Sequence, residues 1–288
     1  MDSNLVKRIA FAAVAIPLAV LLVWFGGWPL ALLVSTVAAL GVRELFDIAE
    51  AQGYTPLRLN GISLAIGFPV LVYAVLAYPS INVWVDGMWP YLFGAAMVVG
   101  LGELLSSRSP TQRPLGAISV TMFAVAYAAV LPTFLIGIRH GGFGQRSWPG
   151  VTMVFFPLVV VWVCDSAAMF AGKAIGGPKL APAISPGKTR SGGIAGLIGG
   201  ILVAPVFAFW VFPAVGITIS LSRALFIALV LAVVGQLGDL AESLFKREAG
   251  VKDSSNLIPG HGGVLDRFDA LYVALPVAAL LYKWFGLL

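Results

Sequence analysis

Two pairs of acidic residues near the C-terminal end have the spacing and the chemistry of a metal-binding site. Asp239 and Glu242 lie three positions apart, and so do Asp266 and Asp269. Residues three apart lie on one face of an α-helix, so each pair is expected to present its carboxylates together. Carboxylate oxygens are hard ligands of the kind that Mg²⁺ prefers. The alternative is that these acids form ion pairs with neighbouring arginines and fix helix packing.

Both pairs belong to one polar run in an otherwise apolar chain. The run from Gly238 to Leu271 contains ten of the chain's 18 basic and 13 acidic residues. Hydrophobic patterning puts part of this run in a membrane, where a charge is costly unless it is paired, hydrated or bound to an ion. A reaction site is the leading explanation for such a concentration of charge.

Two loops have the composition of phosphate-binding segments. Residues 246–263 lie between the acidic pairs and combine Lys and Arg with several glycines, which allow close backbone approach. Residues 171–193 form a second loop with further cations among Gly, Pro, Ser and Thr. Neither loop contains a G-x-x-x-x-G-K-[ST] run or a strand-linked G-x-G-x-x-G run. For the second loop, the simpler alternative is a basic surface that contacts anionic lipid head groups.

The remaining composition indicates how these residues are positioned. The chain is 59% hydrophobic and only 11% charged, with a mean hydropathy of +0.96. These values exclude an ordinary soluble domain and indicate a polytopic membrane protein. A single cysteine, Cys164, excludes an internal disulfide. We expect no nucleic-acid partner.

Nine segments are long enough to cross a membrane, which requires about 20 residues each. They are residues 6–25, 28–48, 61–79, 89–105, 115–138, 151–172, 193–213, 222–245 and 264–285. The sequence therefore predicts an all-α, polytopic integral membrane protein with about nine transmembrane helices. We predict a single structural unit with two parts. Residues 1–138 contain helices 1–5, a scaffold with a lipid access route, and residues 139–288 contain helices 6–9 with catalytic cytoplasmic loops.

The distribution of basic residues predicts the orientation of the chain. With nine spans, fourteen of the 18 Lys and Arg residues lie on the side of the N-terminus and four on the other side. The positive-inside rule then makes the N-terminus and both polar loops cytoplasmic. The first apolar stretch lacks a small-residue cleavage site and is expected to be a retained helix. A compact chain of this kind suits a bacterial inner membrane.

The polar run also carries a specific motif. Residues 243–269 read S-x-F-K-R-x-x-x-x-K-D-x-S-x-x-I-P-x-H-G-G-V-x-D-R-F-D. This pattern resembles, at every fixed position, the signature of the phosphatidate cytidylyltransferase (CDP-diacylglycerol synthase) family. Residues 164–193 resemble the same family in an Asp-Ser pair, a Gly-Lys pair and an Ile-Ser-Pro-x-Lys-Thr run, and depart from it at Ser191, where many relatives have Glu or Gln. The resemblance covers about the C-terminal 125 residues strongly and the first five helices only in hydrophobic character.

The resemblance implies a reaction between a membrane lipid and a nucleotide. Such enzymes transfer CMP from CTP to phosphatidic acid and form CDP-diacylglycerol and pyrophosphate for phospholipid synthesis, with Mg²⁺ required. The residue types suit this chemistry, because the nucleophile is an already ionised phosphate oxygen and no Ser, Cys or His nucleophile is needed. Neutralising two polyanions and the leaving pyrophosphate requires metal and Lys or Arg. The implied partners are CTP, phosphatidic acid and membrane lipids, and a homodimer stays open.

Under this resemblance, the acidic residues are expected to hold the metal. Asp239 and Asp266 are the predicted principal ligands, with Asp165, Glu242 and Asp269 as auxiliary ones. The expected cofactor is Mg²⁺. The number of divalent ions, one or two, and an assisting monovalent cation stay open.

The basic and hydroxyl residues are expected to hold the phosphates. The predicted catalytic residues are Asp239, Asp266, Lys246 and Lys252. The predicted substrate-binding residues are Lys173, Ser185, Lys188, Thr189, Arg190, Ser243, Arg247, His261 and Arg267. Among the cations, those of residues 171–193 are expected at the phosphatidate head group or the CTP tail, and those of residues 246–267 at the triphosphate. A hydrogen bond to phosphate and a purely structural turn are equally open for His261.

Two other classes of function fit parts of the pattern. A secondary transporter or channel also places acids and glycine-rich breaks in membrane helices, but near helix centres, which are almost free of charge here. A CTP-dependent lipid kinase shares the hydrophobicity but not the whole 243–269 pattern, and the D-G-x-x-A-R run of CDP-alcohol phosphotransferases is missing.

Two further segments are predicted to be structural. Residues 43–53, after the second span, have the pattern of an amphipathic extension along the cytoplasmic surface. The spacing of Gly192, Gly196 and Gly200 allows close helix approach, either within the chain or between two copies.

Overall fold

The computed structural model describes residues 3–85, 88–258 and 262–288, and this part of the chain is almost entirely helical. The helices are, in chain order, α1 Ser3–Phe25, α2 Gly27–Ala51, α3 Arg58–Ala77, α4 Pro79–Val85, α5 Trp89–Ser107, α6 Pro114–Val125, α7 Phe134–His140, α8 Trp148–Ile175, α9 Arg190–Val206, α10 Phe212–Ala214, α11 Leu221–Glu248 and α12 Leu265–Trp284. Helices satisfy every backbone polar group internally, which hydrocarbon requires of a chain this apolar.

Seven helical segments of the described chain are long and apolar enough to cross a membrane. They are Gly27–Ala51, Arg58–Ala77, Trp89–Ser107, Pro114–His140, Trp148–Ile175, Arg190–Ala214 and Leu221–Glu248. The all-α, polytopic fold class is therefore confirmed, whereas the count of nine is not. The two other predicted spans are helical as well: α1 contains the shorter apolar stretch Ile16–Phe25 among its described side chains, and α12 carries four charged residues.

Two of these spans contain a wide π-helical turn directly before a proline. The turns are Ala126–Val130, followed by Pro132, and Phe207–Val211, followed by Pro213. In each turn a backbone N–H donates to the carbonyl five residues before it instead of four, as the Leu131 N–H does to Ala126 O. Proline has no N–H to donate, so a carbonyl in the preceding turn lacks its usual partner, and the wider turn gives the carbonyls of this segment other donors.

A small antiparallel hairpin lies between α8 and α9, where the sequence predicts only a loop. Strand β1 is Lys179–Ala181 and strand β2 is Ser185–Thr189, with Lys179 opposite Thr189 and Ala181 opposite Ser185. Three residues of β1 are too few to show an alternating pattern, so the sequence carries no usable strand signal. The hairpin adds a short ordered segment to the all-α architecture.

The chain forms two compact units. The first contains residues 1–137 and 248–267, and the second contains residues 138–247 and 268–288. In the first unit α2 packs on α3, where Phe46 lies against Gly61 and leaves no room for a side chain there. A separate buried cluster joins Leu57 and Ile118. The division predicted from the sequence, at residue 138 within a single structural unit, stays a prediction.

In the second unit, α8 packs against the small-residue stripe of α9. A Cβ added at Gly192 would lie 2.6 Å from Ala168 O, and one added at Gly196 would lie 2.9 Å from Cys164 O. Gly200 lies in the same row, beside Val160 O. The stripe therefore serves helix packing within one chain, the first of its two predicted uses.

We predict that filling this stripe destabilises the protein. Gly196→Val should lower the free energy of unfolding by about 1–3 kcal/mol, because the new side chain overlaps α8. Cys164 is 1% exposed and is the only cysteine, so its reaction with a thiol dye during heating in detergent reports unfolding.

The matched control is Gly67→Val in α3, where an added Cβ meets nothing within 4 Å. The midpoint of thermal unfolding of Gly67→Val should stay close to that of the parent protein. Equal midpoints for both variants would contradict the close packing of α8 and α9.

Candidate functional site

In the first unit, one buried carboxylate organises the segment that leads into α12. The Glu44 side chain on α2 is only 3% exposed. Its Oε1 accepts hydrogen bonds from Ser255 Oγ at 2.6 Å and from Val264 N at 2.9 Å. Its Oε2 accepts from Ser254 Oγ at 2.8 Å and from Leu265 N at 2.7 Å. Both oxygens of the carboxylate therefore bind residues of the family-like motif.

Asp266 closes the same segment from the first turn of α12. Its Oδ2 accepts hydrogen bonds from Ser254 N at 2.9 Å and from Gly263 N at 2.8 Å, and it lies 2.9 Å from Ser254 Oγ. Ile258 N donates to Gly262 O at 2.8 Å and joins the chain on the two sides of residues 259–261. The carboxylate of Asp266 thus joins the two ends of the loop.

The motif has glycine at two adjacent positions, 262 and 263, because these carboxylates occupy the space that a side chain there would need. Gly262 has a φ of +86°, and a Cβ there would lie 2.6 Å from Asp266 Oδ2. A Cβ at Gly263 would overlap Ser254 Oγ and the Glu44 carboxylate. A side chain at either position would displace a carboxylate from its hydrogen-bond donors.

In the second unit, α11 carries a cluster of carboxylates and lysines. Lys188 Nζ lies 2.5 Å from Asp239 Oδ2, and Lys246 Nζ lies 3.1 Å from Glu242 Oε2. Asp269 on α12 lies close enough to Asp239, Glu242 and Lys246 to interact with them electrostatically. Glu242 is fully buried and Lys246 is 8% exposed, so this pair is held away from solvent. The cluster combines three acids with two cations.

The hairpin positions Lys188 in this cluster. Thr189, the last residue of β2, caps α9, since its Oγ1 accepts a hydrogen bond from Gly192 N at 3.1 Å. Ser191 Oγ donates to Gly176 O at the end of α8, which gives a structural role to the position that departs from the family pattern. Arg247 Nε donates to Ile184 O at 3.2 Å and fastens the hairpin turn to the end of α11. Backbone and hydroxyl contacts therefore fix the strand that carries Lys188.

The other predicted site residues take less enclosed positions. Ser243 is buried on α11, and Ser185 is half-buried at the start of β2. The exposed ones are Asp165, Lys173, Arg190, Arg247, Lys252 and Arg267. His261 lies outside the described residues.

The donor set fits Mg²⁺ by its chemistry. Asp239, Glu242 and Asp269 offer hard carboxylate oxygens, and a cation, the Lys188 ammonium, already faces Asp239. Among the described residues, no three His, Cys, Asp or Glu side chains are grouped as they would be around a metal ion. Binding of Mg²⁺ therefore stays a prediction, for which these carboxylates and Asp266 are the candidate ligands.

Glu44 is the site residue that the sequence interpretation missed. Residues 43–53 were expected to form an amphipathic surface extension, and the segment is indeed the amphipathic end of α2, with Arg43 and Asp47 exposed. Glu44, however, lies on the buried side with Gly41 and Ile48. The available signal was helical spacing. Glu44 lies three positions after Gly41 and four positions before Ile48, and this spacing places it on the apolar face of α2.

Comparison with known proteins agrees with the motif. Residues 6–285 match the model of a family described as the cytidylyltransferase family. A protein of Synechocystis sp. named phosphatidate cytidylyltransferase is 31% identical over 293 residues, which cover 94% of each chain. A protein of the same name from Brucella suis is 36% identical over 97% of this chain and 93% of its own. Another from Staphylococcus haemolyticus is 32% identical over 94% of this chain and 96% of its own. With a match that extends over nearly its whole length, the chain belongs to the cytidylyltransferase family.

Proposed function

We propose that this protein transfers CMP from CTP to phosphatidic acid, forming CDP-diacylglycerol and pyrophosphate. The observation that carries this proposal is the near full-length match to relatives named phosphatidate cytidylyltransferase. The 243–269 motif and the two charged groups described above support it. Both sites contain the charged side chains that a reaction between two polyanions needs.

The proposed reaction is a substitution at phosphorus. A phosphate oxygen of phosphatidic acid attacks the α-phosphorus of CTP, and a new P–O–P bond forms. The bond from the α-phosphorus to the bridging oxygen of the β-phosphate breaks, and pyrophosphate leaves with the bonding electron pair. Atoms and charge balance without a covalent enzyme intermediate, so the protein has to bind, orient and neutralise its substrates.

The lysines of the second unit are suited to contact the phosphates. Lys188 stands at the end of β2 with about a quarter of its side chain exposed, so a phosphate can reach its ammonium group. Lys246 is buried beside Glu242, which favours a role in holding the cluster together over direct binding. We propose that Lys188 contributes binding energy to a substrate phosphate and that Lys246 keeps Glu242 in place.

Mg²⁺, when bound, would neutralise phosphate charge and make the α-phosphorus more electrophilic. Asp239, with Glu242 and Asp269 beside it, is the proposed ligand in the second unit. Asp266 is the proposed ligand in the first unit, where Ser254 and Gly263 orient its carboxylate. Since an oriented carboxylate loses little entropy on binding a cation, this arrangement favours metal binding.

We also propose a bacterial inner membrane as the location, with the N-terminus and the charged groups on the cytoplasmic side. With the nine predicted spans, the fourteen-to-four distribution of basic residues between the two sides supports this orientation. The bacterial relatives support the choice of membrane. CTP is made in the cytoplasm, so this side gives the enzyme its water-soluble substrate.

The decisive assay uses purified protein in detergent with phosphatidic acid, Mg²⁺ and CTP labelled in either the α- or the γ-phosphate. Label from the α-phosphate should appear in a lipid, and label from the γ-phosphate should appear in pyrophosphate. Transfer of the γ-label to lipid would instead indicate a lipid kinase. Absence of both, together with ion flux in proteoliposomes, would indicate a transporter.

We predict that Asp239→Asn lowers kcat by at least about 100-fold, because it removes a ligand charge opposite the transferred phosphate. The measurement is the initial rate of CDP-diacylglycerol formation as a function of Mg²⁺ concentration. Glu248→Gln, an exposed acid at the end of the same helix, is the control and should stay within about twofold. A folded Asp239→Asn protein with normal turnover and normal Mg²⁺ dependence would remove this ligand assignment.

A second prediction separates the two lysines of the hairpin. Lys188→Met should raise the KM of one substrate by about tenfold, because a charge-assisted contact to phosphate is lost. The substrate whose KM changes, CTP or phosphatidic acid, identifies the phosphate that Lys188 contacts.

Lys179→Met is the matched control, since Lys179 is exposed on β1 of the same hairpin. Its kinetic constants should stay close to those of the parent enzyme. Equal effects of the two substitutions would show that general positive charge, rather than Lys188, determines substrate binding.

A further inference from the structure

We propose that Glu44 is a positioning residue for the reaction: its buried carboxylate fixes the start of α12 and the 254–265 loop, and thereby the orientation of Asp266. This inference rests on the proposed function, in which Asp266 is a metal ligand. It concerns contacts within the first unit only.

The charge of Glu44 is compensated by hydrogen bonds and not by an ion pair within the described chain. Glu44 is 3% exposed, and no Lys, Arg or His of the described chain forms an ion pair with it. Its compensation comes from four hydrogen-bond donors, namely the hydroxyls of Ser254 and Ser255 and the N–H groups of Val264 and Leu265. Hydrogen bonds to a charged acceptor are about twice as strong as neutral ones, so four of them hold the loop firmly.

The N–H groups of Val264 and Leu265 lie where a carboxylate can cap a helix. Both groups are at the start of α12: Leu265 is its first residue and Val264 directly precedes it, where N–H groups have no partner within the helix. An acidic group at this end also interacts favourably with the helix dipole. Glu44 therefore acts as an N-terminal cap supplied by a distant helix, and it fixes where α12 begins. Asp266 is the next residue, so its backbone is fixed as well.

The carboxylates of Glu44 and Asp266 share one hydroxyl group, that of Ser254. Ser254 Oγ lies 2.8 Å from Glu44 Oε2 and 2.9 Å from Asp266 Oδ2. A hydroxyl carries one proton and can donate to only one of the two oxygens at a time. The Ser254 N–H, which donates to Asp266 at 2.9 Å, keeps the serine in place while the hydroxyl bonds to Glu44. The two carboxylates are thus coupled through one residue.

Packing alone does not require this arrangement. An apolar side chain of similar volume would fill the same space but would leave the four donors without an acceptor. What the carboxylate adds is a fixed direction for four donors, and this fixes the side chain of Asp266. The consequence of its loss should therefore appear in catalysis and metal affinity as well as in folding.

The test begins with Glu44→Gln, which keeps the size and removes the charge. The amide presents an NH₂ group where the carboxylate accepted two hydrogen bonds, so it opposes two of the donors. We expect kcat to fall by about 10- to 100-fold and the half-saturating Mg²⁺ concentration to rise by about tenfold. The KM for phosphatidic acid should stay within about twofold. The midpoint of thermal unfolding should fall, since two buried donors lose their acceptor, so kcat is measured at a temperature where both proteins are folded.

Asp47→Asn is the matched control. Asp47 lies one turn further along α2, lines the same small cavity as Glu44 and is exposed in an ion pair with Arg58. Removing its charge should leave kcat and the Mg²⁺ dependence within about twofold, as expected for a surface ion pair.

Hydrogen exchange provides a readout that does not depend on activity or on metal. Without Mg²⁺, peptides covering residues 251–267 should exchange faster in Glu44→Gln than in the parent protein, since the N–H group of either Val264 or Leu265 faces the amide NH₂ and loses its acceptor. Ser254→Ala is the milder second variant. In a double-mutant cycle, its effect on kcat should be smaller in the Glu44→Gln background than in the parent enzyme, because the two residues act as one unit.

The outcomes separate the two proposals. If the parent protein makes no CDP-diacylglycerol, the proposed function fails, and hydrogen exchange alone then decides whether Glu44 fixes the loop. Unchanged exchange in residues 251–267 overturns the inference. So does a Glu44→Gln enzyme with kcat and Mg²⁺ dependence within twofold of the parent, or an activity loss that only follows a loss of folded protein.

Discussion

A buried carboxylate has to be matched by donors, and the loop before α12 is built around this constraint. Glu44 and Asp266 together take six distinct hydrogen-bond donors from residues 254–265. The two serines supply hydroxyls at the required places, and the two glycines leave room for the acids. The mixture of small and polar residues in the family-like motif thus has a physical explanation apart from any contact with substrate. Leaving either acid without its donors would cost far more than any one of these bonds contributes.

In the second unit, the acids are compensated in another way, by ion pairs with lysines. Glu242 and Lys246 lie one turn apart on α11, and Asp239 is matched by Lys188 from the hairpin. The first pair is local and rigid, whereas the second joins two elements distant in sequence. A pair that is partly exposed can exchange its cation for another, and a fully buried pair cannot do so without a large desolvation cost. Asp239 and Glu242, on neighbouring turns of one helix, therefore differ in how easily another cation could replace their lysine.

The sequence predicted the helices and the polar run well because both follow from local rules. Hydrocarbon forces apolar segments of sufficient length into helices, and the acidic spacing could be read directly. Glu44 was not predicted as a site residue, because its donors lie more than 200 positions away and no local pattern points to them. The hairpin was missed because its strands are too short for periodicity, and the seven spans differ from the predicted nine at α1 and at α12, which carries four charged residues.

The distance in sequence between Glu44 and its donors bears on how the protein is assembled during synthesis. The ribosome releases α2 long before it makes Ser254, 210 residues later. An acid near the end of an apolar helix then meets the membrane without its final hydrogen bonds, at a cost of a few kcal/mol. Water at the membrane surface has to solvate this acid until the C-terminal segment arrives. The contacts that compensate the charge of Glu44 therefore form only after nearly the whole chain has been made, and a nascent chain that stops before residue 254 lacks all four of them.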